Sequence, residues 1–254
     1  MKTSIIPPFG QSLRIFCMMS ICLHAQAQRD PSSEEYAFTN YKFEITTRSF
    51  ILPEVQPKWR YSQAISFSYV DLPNNWTLNQ INAPILTYSS KFSLPAGFNL
   101  QASLSTLVIS NQLEFGPFWN YSSNHFHFGV GWQAAYSLGF LNQFGYKSTV
   151  SGWTQEPCLI AGHSFRKSAL TLKVNLYLNN KVQFHEGGHE LPMYQTFFNG
   201  YAISGSFEQR IYKNKVLQLT VKLNSVNYYF LAWPVFPGSQ SRYLIPEFKV
   251  GLNF

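Results

Sequence analysis

The residues of this chain that could do chemistry fall into three groups. The first is His185-Glu186-Gly187-Gly188-His189, which fits the H-E-x-x-H pattern of zinc hydrolases. In that pattern two histidines one helical turn apart hold the metal and the glutamate activates water. The second group is a set of histidines and serines, His125, His127, His163 and Ser164, that could supply a base and a nucleophile. The third is a series of charges of both signs on polar positions: Lys91, Glu114, Lys173, Glu208, Arg210, Lys222, Glu247 and Lys249. Their chemistry would be to pair with one another or to select a charged solute.

The zinc reading needs a helix. Glu208 lies 19 residues beyond His189 (208 − 189), which resembles the third-ligand spacing of aminopeptidase-type gluzincins. The metal set would then be His185, His189 and Glu208. Two glycines between the histidines, however, cost a helix about 2 kcal/mol relative to alanine. Asn179-Asn180, Gly187-Gly188 and Pro192 have the composition of a loop. Glu208 belongs to an alternating segment rather than to a second helix, so the motif is read as a loop match. No metal, cofactor or catalytic residue is assigned. Acyl chemistry fares no better: His163 and Ser164 are adjacent in an extended segment, so their side chains point to opposite faces.

The elements that would carry these residues are strands. From Ser168, Leu170, Leu172, Val174, Leu176 and Leu178 fall on one face and Thr171, Lys173, Asn175 and Tyr177 on the other. The same period of two recurs in Leu217–Asn224, Phe98–Val108 and His125–Leu138. It is weaker in Tyr61–Asp71, Ile85–Leu94, Leu113–Tyr121, Trp153–Phe165, Tyr201–Tyr212 and Leu244–Phe254. Short breakers at Pro95-Ala96-Gly97, Ser122-Ser123-Asn124, Arg166-Lys167 and Lys213-Asn214-Lys215 alternate with long ones at Leu72–Pro84, Leu141–Gly152, Asn179–Gly200 and Ala232–Tyr243. The turn at Ser110-Asn111-Gln112 is the one short exception on the long side.

Segments of about ten residues with this rhythm predict an all-β fold, a closed antiparallel transmembrane β-barrel of about ten strands. Closure is required because hydrocarbon offers no hydrogen-bond partner to a free strand edge. Twelve strands is the alternative, since Tyr41–Thr46 also alternates and Trp76–Ile81 could provide the partner. Trp59, Trp119, Tyr121, Trp153, Tyr228, Tyr229 and Trp233 are expected to form interfacial girdles, or core packing if the strands formed a soluble sandwich.

Composition agrees with this architecture. The 254 residues are 45% hydrophobic and 17% aromatic but only 12% charged, which excludes intrinsic disorder. Lys2 and Arg14 precede an apolar stretch, Ile15–Leu23, that ends in Ala25-Gln26-Ala27. This predicts a signal peptide over residues 1–27, cleaved near Ala27. Residues 28–59 then form an N-terminal segment with room for one extra strand, and 60–254 the barrel. Two of the 3 cysteines lie in the signal, leaving Cys158 without a partner in cis. Removing Lys2 and Arg14 leaves 17 basic residues (19 − 2) against 12 acidic ones, a net charge of about +5 instead of +7. These charges are scattered, and no nucleic-acid module is present.

The chain ends in Phe248-Lys249-Val250-Gly251-Leu252-Asn253-Phe254. Phe248, Val250, Leu252 and Phe254 resemble the C-terminal strand signature that bacterial outer-membrane barrels present to their assembly machinery. With the Ala-Gln-Ala-Gln region, the chain resembles small Bacteroidota outer-membrane β-barrel proteins of a family of unknown function. The resemblance implies residence in the outer membrane, with membrane lipid and the barrel-assembly machinery as partners. It implies no activity and no cofactor. The functional expectation is a structural barrel or a narrow passive pore for small solutes. The alternatives are a barrel-embedded lipid or zinc-dependent peptide hydrolase, and a surface-interaction protein acting through its long extracellular loops.

Overall fold

The computed structural model describes residues 49–72, 82–107, 109–143, 146–186, 189–191, 197–212, 215–235 and 242–254. The expected signal peptide and the alternating 41–46 segment lie outside them, as does 76–81. The strands are β1 (Tyr61–Asp71), β2 (Asn82–Ser93), β3 (Phe98–Leu107), β4 (Ser110–Ser123), β5 (Phe126–Gln143), β6 (Tyr146–Ser164), β7 (Ser168–Glu186), β8 (His189–Leu191), β9 (Phe198–Tyr212), β10 (Lys215–Val226) and β11 (Tyr243–Asn253).

Each strand pairs antiparallel with its neighbour in the chain, except that the short β8 only prolongs β7, which pairs directly with β9. β11 returns to β1, with Phe67 opposite Val250, and β6 joins β7. The ring is therefore closed, with ten strands and no free edge. The ladders run around the whole wall, interrupted by bulges at Trp153/Thr154, Tyr177/Leu178 and Lys215/Val216, so the backbone is largely paired within the wall, as hydrocarbon demands.

Alternation sets which face is wet. In β1 the inward Ala64, Ser66, Ser68 and Val70 are buried, and Ile65, Phe67 and Tyr69 are exposed outward. The same division holds around the ring: Leu86, Leu100, Phe115, Phe128, Leu159, Leu172, Ile203, Leu219 and Val250 all face out on successive strands. An apolar surface that encircles the molecule far exceeds the patches a soluble monomer exposes, and hydrocarbon is the solvent it fits. Trp119, Tyr121 and Trp153 are exposed on this surface, and Trp119 stacks on Tyr121 at 6.4 Å.

Several sequence expectations are corrected in detail. β5 continues to Gln143 and β6 starts at Tyr146, so most of the long loop expected over Leu141–Gly152 is strand. β7 likewise runs to Glu186, inside the loop expected over Asn179–Gly200. The hairpin expected at Ser110–Gln112 turns earlier, with Leu107 opposite Ser110. Tyr228 and Trp233 belong to no girdle. They are buried inside the barrel, for the reason described below.

Candidate functional site

Among the described residues, polar side chains of the ten ring strands converge on the lumen, and two of the chain's own segments enter it. At the end carrying the short turns, residues 49–57 cross the mouth before the chain turns into β1. They have no strand partner of their own, and the wall satisfies their backbone through two buried charges. Glu208 on β9, completely buried, accepts hydrogen bonds from the amides of Phe50 at 2.9 Å, Ile51 at 3.3 Å and Leu52 at 3.1 Å. It also accepts from the Ser49 hydroxyl and, at 2.9 Å, from Asn253 Nδ2. Lys91 on β2 donates to the carbonyls of Ser49 at 3.2 Å and Phe50 at 2.8 Å. Successive amides aimed at a carboxylate make a concave anion site, and an ammonium on the carbonyl side completes the clamp.

Neutral contacts extend this seam. Asn120 Nδ2 donates to the Glu54 carbonyl at 3.1 Å, and the Val55 amide donates to Ser122 Oγ at 3.0 Å. That hydroxyl also contacts His127 Nδ1 at 3.0 Å, and His127 Nε2 contacts Ser164 Oγ at 3.1 Å. Leu52 packs on Ala169 and Val216 beneath the clamp.

The opposite mouth is closed by apolar packing. After β10 the chain folds inward, and a 3-10 turn over Phe230–Val235 brings Tyr228, Phe230, Leu231 and Trp233 against Val70, Ile85, Val150, Tyr177 and Ile245. Inward glycines make room for these rings. A Cβ on Gly139 would lie 2.0 Å from Trp233 Nε1, and one on Gly152 would lie 2.5 Å from Phe230 Cζ. Asn199 anchors the turn, its Nδ2 donating to the Tyr228 carbonyl and its Oδ1 accepting the Tyr228 amide, both at 2.9 Å. Burial pushes the phenol pKa values of Tyr228 and Tyr229 above their ordinary range.

Between the two segments lies a polar chamber. Its main cavity is about 170 Å³, floored by Phe50 and Ile51. A smaller one of about 70 Å³ lies under Tyr229, Phe230 and Leu231. Glu114, Glu156, Lys222, Glu247 and Lys249 line both. Lys222 and Lys249 stand 3.9 and 3.8 Å from Glu247. Lys173 lines the main cavity and donates to Gln133 Oε1 at 3.2 Å. Glu114 accepts from Ser103 Oγ at 2.9 Å.

The eight charges read from the alternation thus separate into distinct environments. Glu114, Lys173, Lys222, Glu247 and Lys249 line the chamber, whereas Lys91 and Glu208 hold the N-terminal segment. Arg210 is one inward step nearer the rim than Glu208. Glu156 escaped the sequence reading because Pro157 follows it and interrupts the alternation of β6.

The described residues of the H-E-x-x-H motif lie in the β7–β8 pairing, with Glu186 opposite His189 and His185 opposite Glu190. Glu208 pairs with Ala169 near the start of β7, 16 residues before His185. At strand rise that is roughly 50 Å away, so the three would-be zinc ligands do not meet. Among the described residues no group of three or more His, Cys, Asp or Glu could hold a metal. The structure does bring a serine to a histidine, but it pairs Ser164 with His127 across the β5–β6 ladder. Two hydroxyls occupy that buried ring, and no hydrogen-bonded carboxylate orients it among the described residues.

No family model matches the chain, and no curated protein does. Solved structures with similar architecture include the KdgM porin, at 10% identity and a TM-score of 0.40, covering 75% of this chain and 98% of that one. The translocator domain of the autotransporter NalP from Neisseria meningitidis matches at 10% identity and 0.37, covering 78% and 88%. Neisserial surface protein A matches at 11% and 0.28, covering 76% and 94%.

Proposed function

We propose that this chain is a bacterial outer-membrane barrel whose narrow polar lumen is a passive passage for small solutes, held shut at rest by its N-terminal segment at one mouth and by the aromatic turn over Phe230–Val235 at the other. The observation that carries this reading is the clamp on residues 49–52. Two buried charges are committed to the backbone of a segment that crosses one mouth, and a polar chamber lies directly behind it. In this reading the short turns and both ends of the barrel domain face the periplasm, membrane lipid covers the apolar belt, and Phe248, Val250, Leu252 and Phe254 present the last strand to the assembly machinery.

Planar-bilayer recording tests the proposal. The folded mature chain is expected to show rare openings over a closed baseline, and Glu208→Gln to raise the open fraction. A steady open conductance in the unaltered chain refutes closure at rest, and silence in both forms refutes the passage.

A second reading, surface interaction, is favoured by one observation. β5, β6 and β7 run to 18, 19 and 19 residues, against the roughly ten that span a bilayer. They therefore carry a sheet beyond the membrane that β8 prolongs.

A further inference from the structure

On the outer wall, the ladder register sorts outward side chains into rows that cross the strands. One row runs Phe128, Ala161, Leu172, Gly205 and Val221 over β5, β6, β7, β9 and β10. The next row away from the short turns carries Leu159, Val174 and Ile203 in its middle, and the next row toward them His163, Leu170 and Phe207. Of the three rows, the central one alone holds small residues, so Ala161 and Gly205 make a dip on either side of Leu172. The dip belongs to an outward apolar groove of about 660 Å³.

Gly205 is exposed, and its backbone lies outside the left-handed region that favours glycine. Glycine weakens a strand and is retained where something approaches the backbone closely. Gly129, Gly139 and Gly152 have that neighbour within the chain, whereas a Cβ on Gly205 meets nothing within 4 Å. Whatever approaches Gly205 comes from the membrane side.

The groove leads down to a basic rim. Arg166 and Lys167 form the β6–β7 turn, and Lys215 opens β10; all three are exposed. The strand ends sit side by side, the Arg210 amide donating to the Lys167 carbonyl at 3.0 Å. Among the described residues of these four strand ends the acid is Glu208, which is buried and held by residues 49–52. Between rim and dip stands a fixed aromatic shelf. His163 lies 4.7 Å from both Phe126 and Phe165, and its Nδ1 donates to the His125 carbonyl at 3.1 Å. Gly205 is five residues (210 − 205) from Arg210, roughly 16 Å along the strand and about 12 Å in depth at the tilt of a barrel strand. Half of a hydrocarbon core is about 15 Å. The dip therefore lies where the tail of a lipid runs when its headgroup sits at the rim.

We propose that this groove is a binding site for an anionic glycerophospholipid, its phosphate against Arg166, Lys167 and Lys215 and one acyl tail lying over Gly205 between Leu172 and Val221. The dip gives the tail close contact that a uniformly bulky wall lacks. Each cation near the membrane surface favours an anionic over a neutral headgroup by about fivefold.

Native mass spectrometry of the folded full mature chain in neutral detergent tests the site. One dioleoyl phosphatidylglycerol is expected to be retained per barrel, at least about tenfold more tightly than dioleoyl phosphatidylcholine. Arg166→Gln combined with Lys167→Gln is expected to remove most of that preference. Gly205→Leu fills the dip without touching the lumen and is expected to weaken the dioleoyl lipid at least about fivefold, while leaving dihexanoyl phosphatidylglycerol, whose tails stop short of the dip, unchanged. Leu86→Ile on the outward face of β2 is expected to bind as the unaltered chain does. Equal retention of the two dioleoyl lipids, or undiminished binding in Gly205→Leu, overturns the proposal and leaves an ordinary lipid-covered wall. So does displacement by inorganic phosphate at the lipid's own concentration, which makes the rim a plain anion site. Where Gly205→Leu fails to fold, the unaltered chain decides, because equal affinity for the dioleoyl and dihexanoyl lipids removes the tail site. The inference rests on residence in a membrane and not on a conducting lumen. A chain silent in planar bilayers but selective for phosphatidylglycerol loses the passage and keeps the site; the reverse result loses the site alone.

Discussion

Replacing Glu208 by glutamine should free the N-terminal segment while leaving the barrel intact. Glu208 Oε1 accepts from the amides of Phe50 and Ile51 and from Asn253, and Oε2 from the Leu52 amide and the Ser49 hydroxyl. Glutamine retains one acceptor oxygen, but its NH₂ group points a donor at donors. Hydrogen bonds to a charged group are worth about 1.5–3 kcal/mol and neutral ones about 1 kcal/mol. Weakening three bonds and losing the Leu52 bond therefore costs docking about 3 kcal/mol, at the low end of the 3–5 kcal/mol for breaking a buried charge arrangement. The segment's docking constant should fall by roughly a hundredfold. Hydrogen exchange reads this directly at the amides of Phe50, Ile51 and Leu52, with amides of the β1–β11 ladder as internal reference. Lys91→Met should act in the same direction through the Ser49 and Phe50 carbonyls. The double variant should cost less than the two separately, because each single change strands the other charge. Unchanged protection of Phe50 to Leu52 in Glu208→Gln would refute the view that this carboxylate holds the segment.

Three further outcomes follow from the same geometry. Gly139→Ala places a methyl in the Trp233 ring and should cost about 1–3 kcal/mol as an overpacked contact, read as greater acrylamide quenching of Trp233 and a lower midpoint of heat modification. The packing of Tyr228 and Tyr229 requires neutral phenols, whose folded pKa values are raised by burial. The stability this lends is therefore full below about pH 10, the unfolded value, and is lost as pH rises through the folded values; acrylamide quenching of Trp233 should rise in that alkaline range, and a Tyr228→Phe chain should lose part of the rise. Leu172→Lys on the outward face should cost about 2–4 kcal/mol in urea titration from liposomes if the position lies near the bilayer midplane, whereas Thr171→Ser beside it, facing inward, should cost far less.

The wall was legible because alternation is a local property. Leu170 and Leu172 face out for the same reason that Thr171 and Lys173 face in, and a reader needs only adjacent residues to see it. The segment in the mouth has no such period: Ser49-Phe50-Ile51-Leu52-Pro53-Glu54-Val55-Gln56-Pro57 cannot place itself, and its partners Lys91 and Glu208 lie 41 and 158 positions away from Phe50. On sequence alone these two read as ordinary members of the mixed-charge lumen, since alternation gives direction and says nothing of what stands opposite. Tyr228 and Trp233 were misplaced for a related reason. An aromatic run just past a strand end is the signature both of a membrane girdle and of a loop folding back into the mouth.

One sequence feature does distinguish those possibilities. Along β5 the inward positions His127, Gly129, Gly131, Gln133, Ala135, Ser137 and Gly139 are dominated by residues with little or no side chain. A barrel that filled its own interior with wall side chains would carry large residues there. Glycine weakens a strand and is retained where something must approach the backbone closely. Gly129 and Gly139 are therefore moulds of the segments that enter the barrel, whereas Gly131 makes room for Phe118 of the adjacent strand β4. A Cβ on Gly129 would lie 2.8 Å from Pro53 of the N-terminal segment, one on Gly131 would enter the Phe118 ring, and one on Gly139 the Trp233 ring. Small residues on the wet face of β5 thus make room both for the large wall side chain Phe118 and for the two segments that enter the barrel. Position along the strand gives the depth of those segments: Gly129 marks the N-terminal segment near the short turns, and Gly139 the aromatic cap at the opposite mouth.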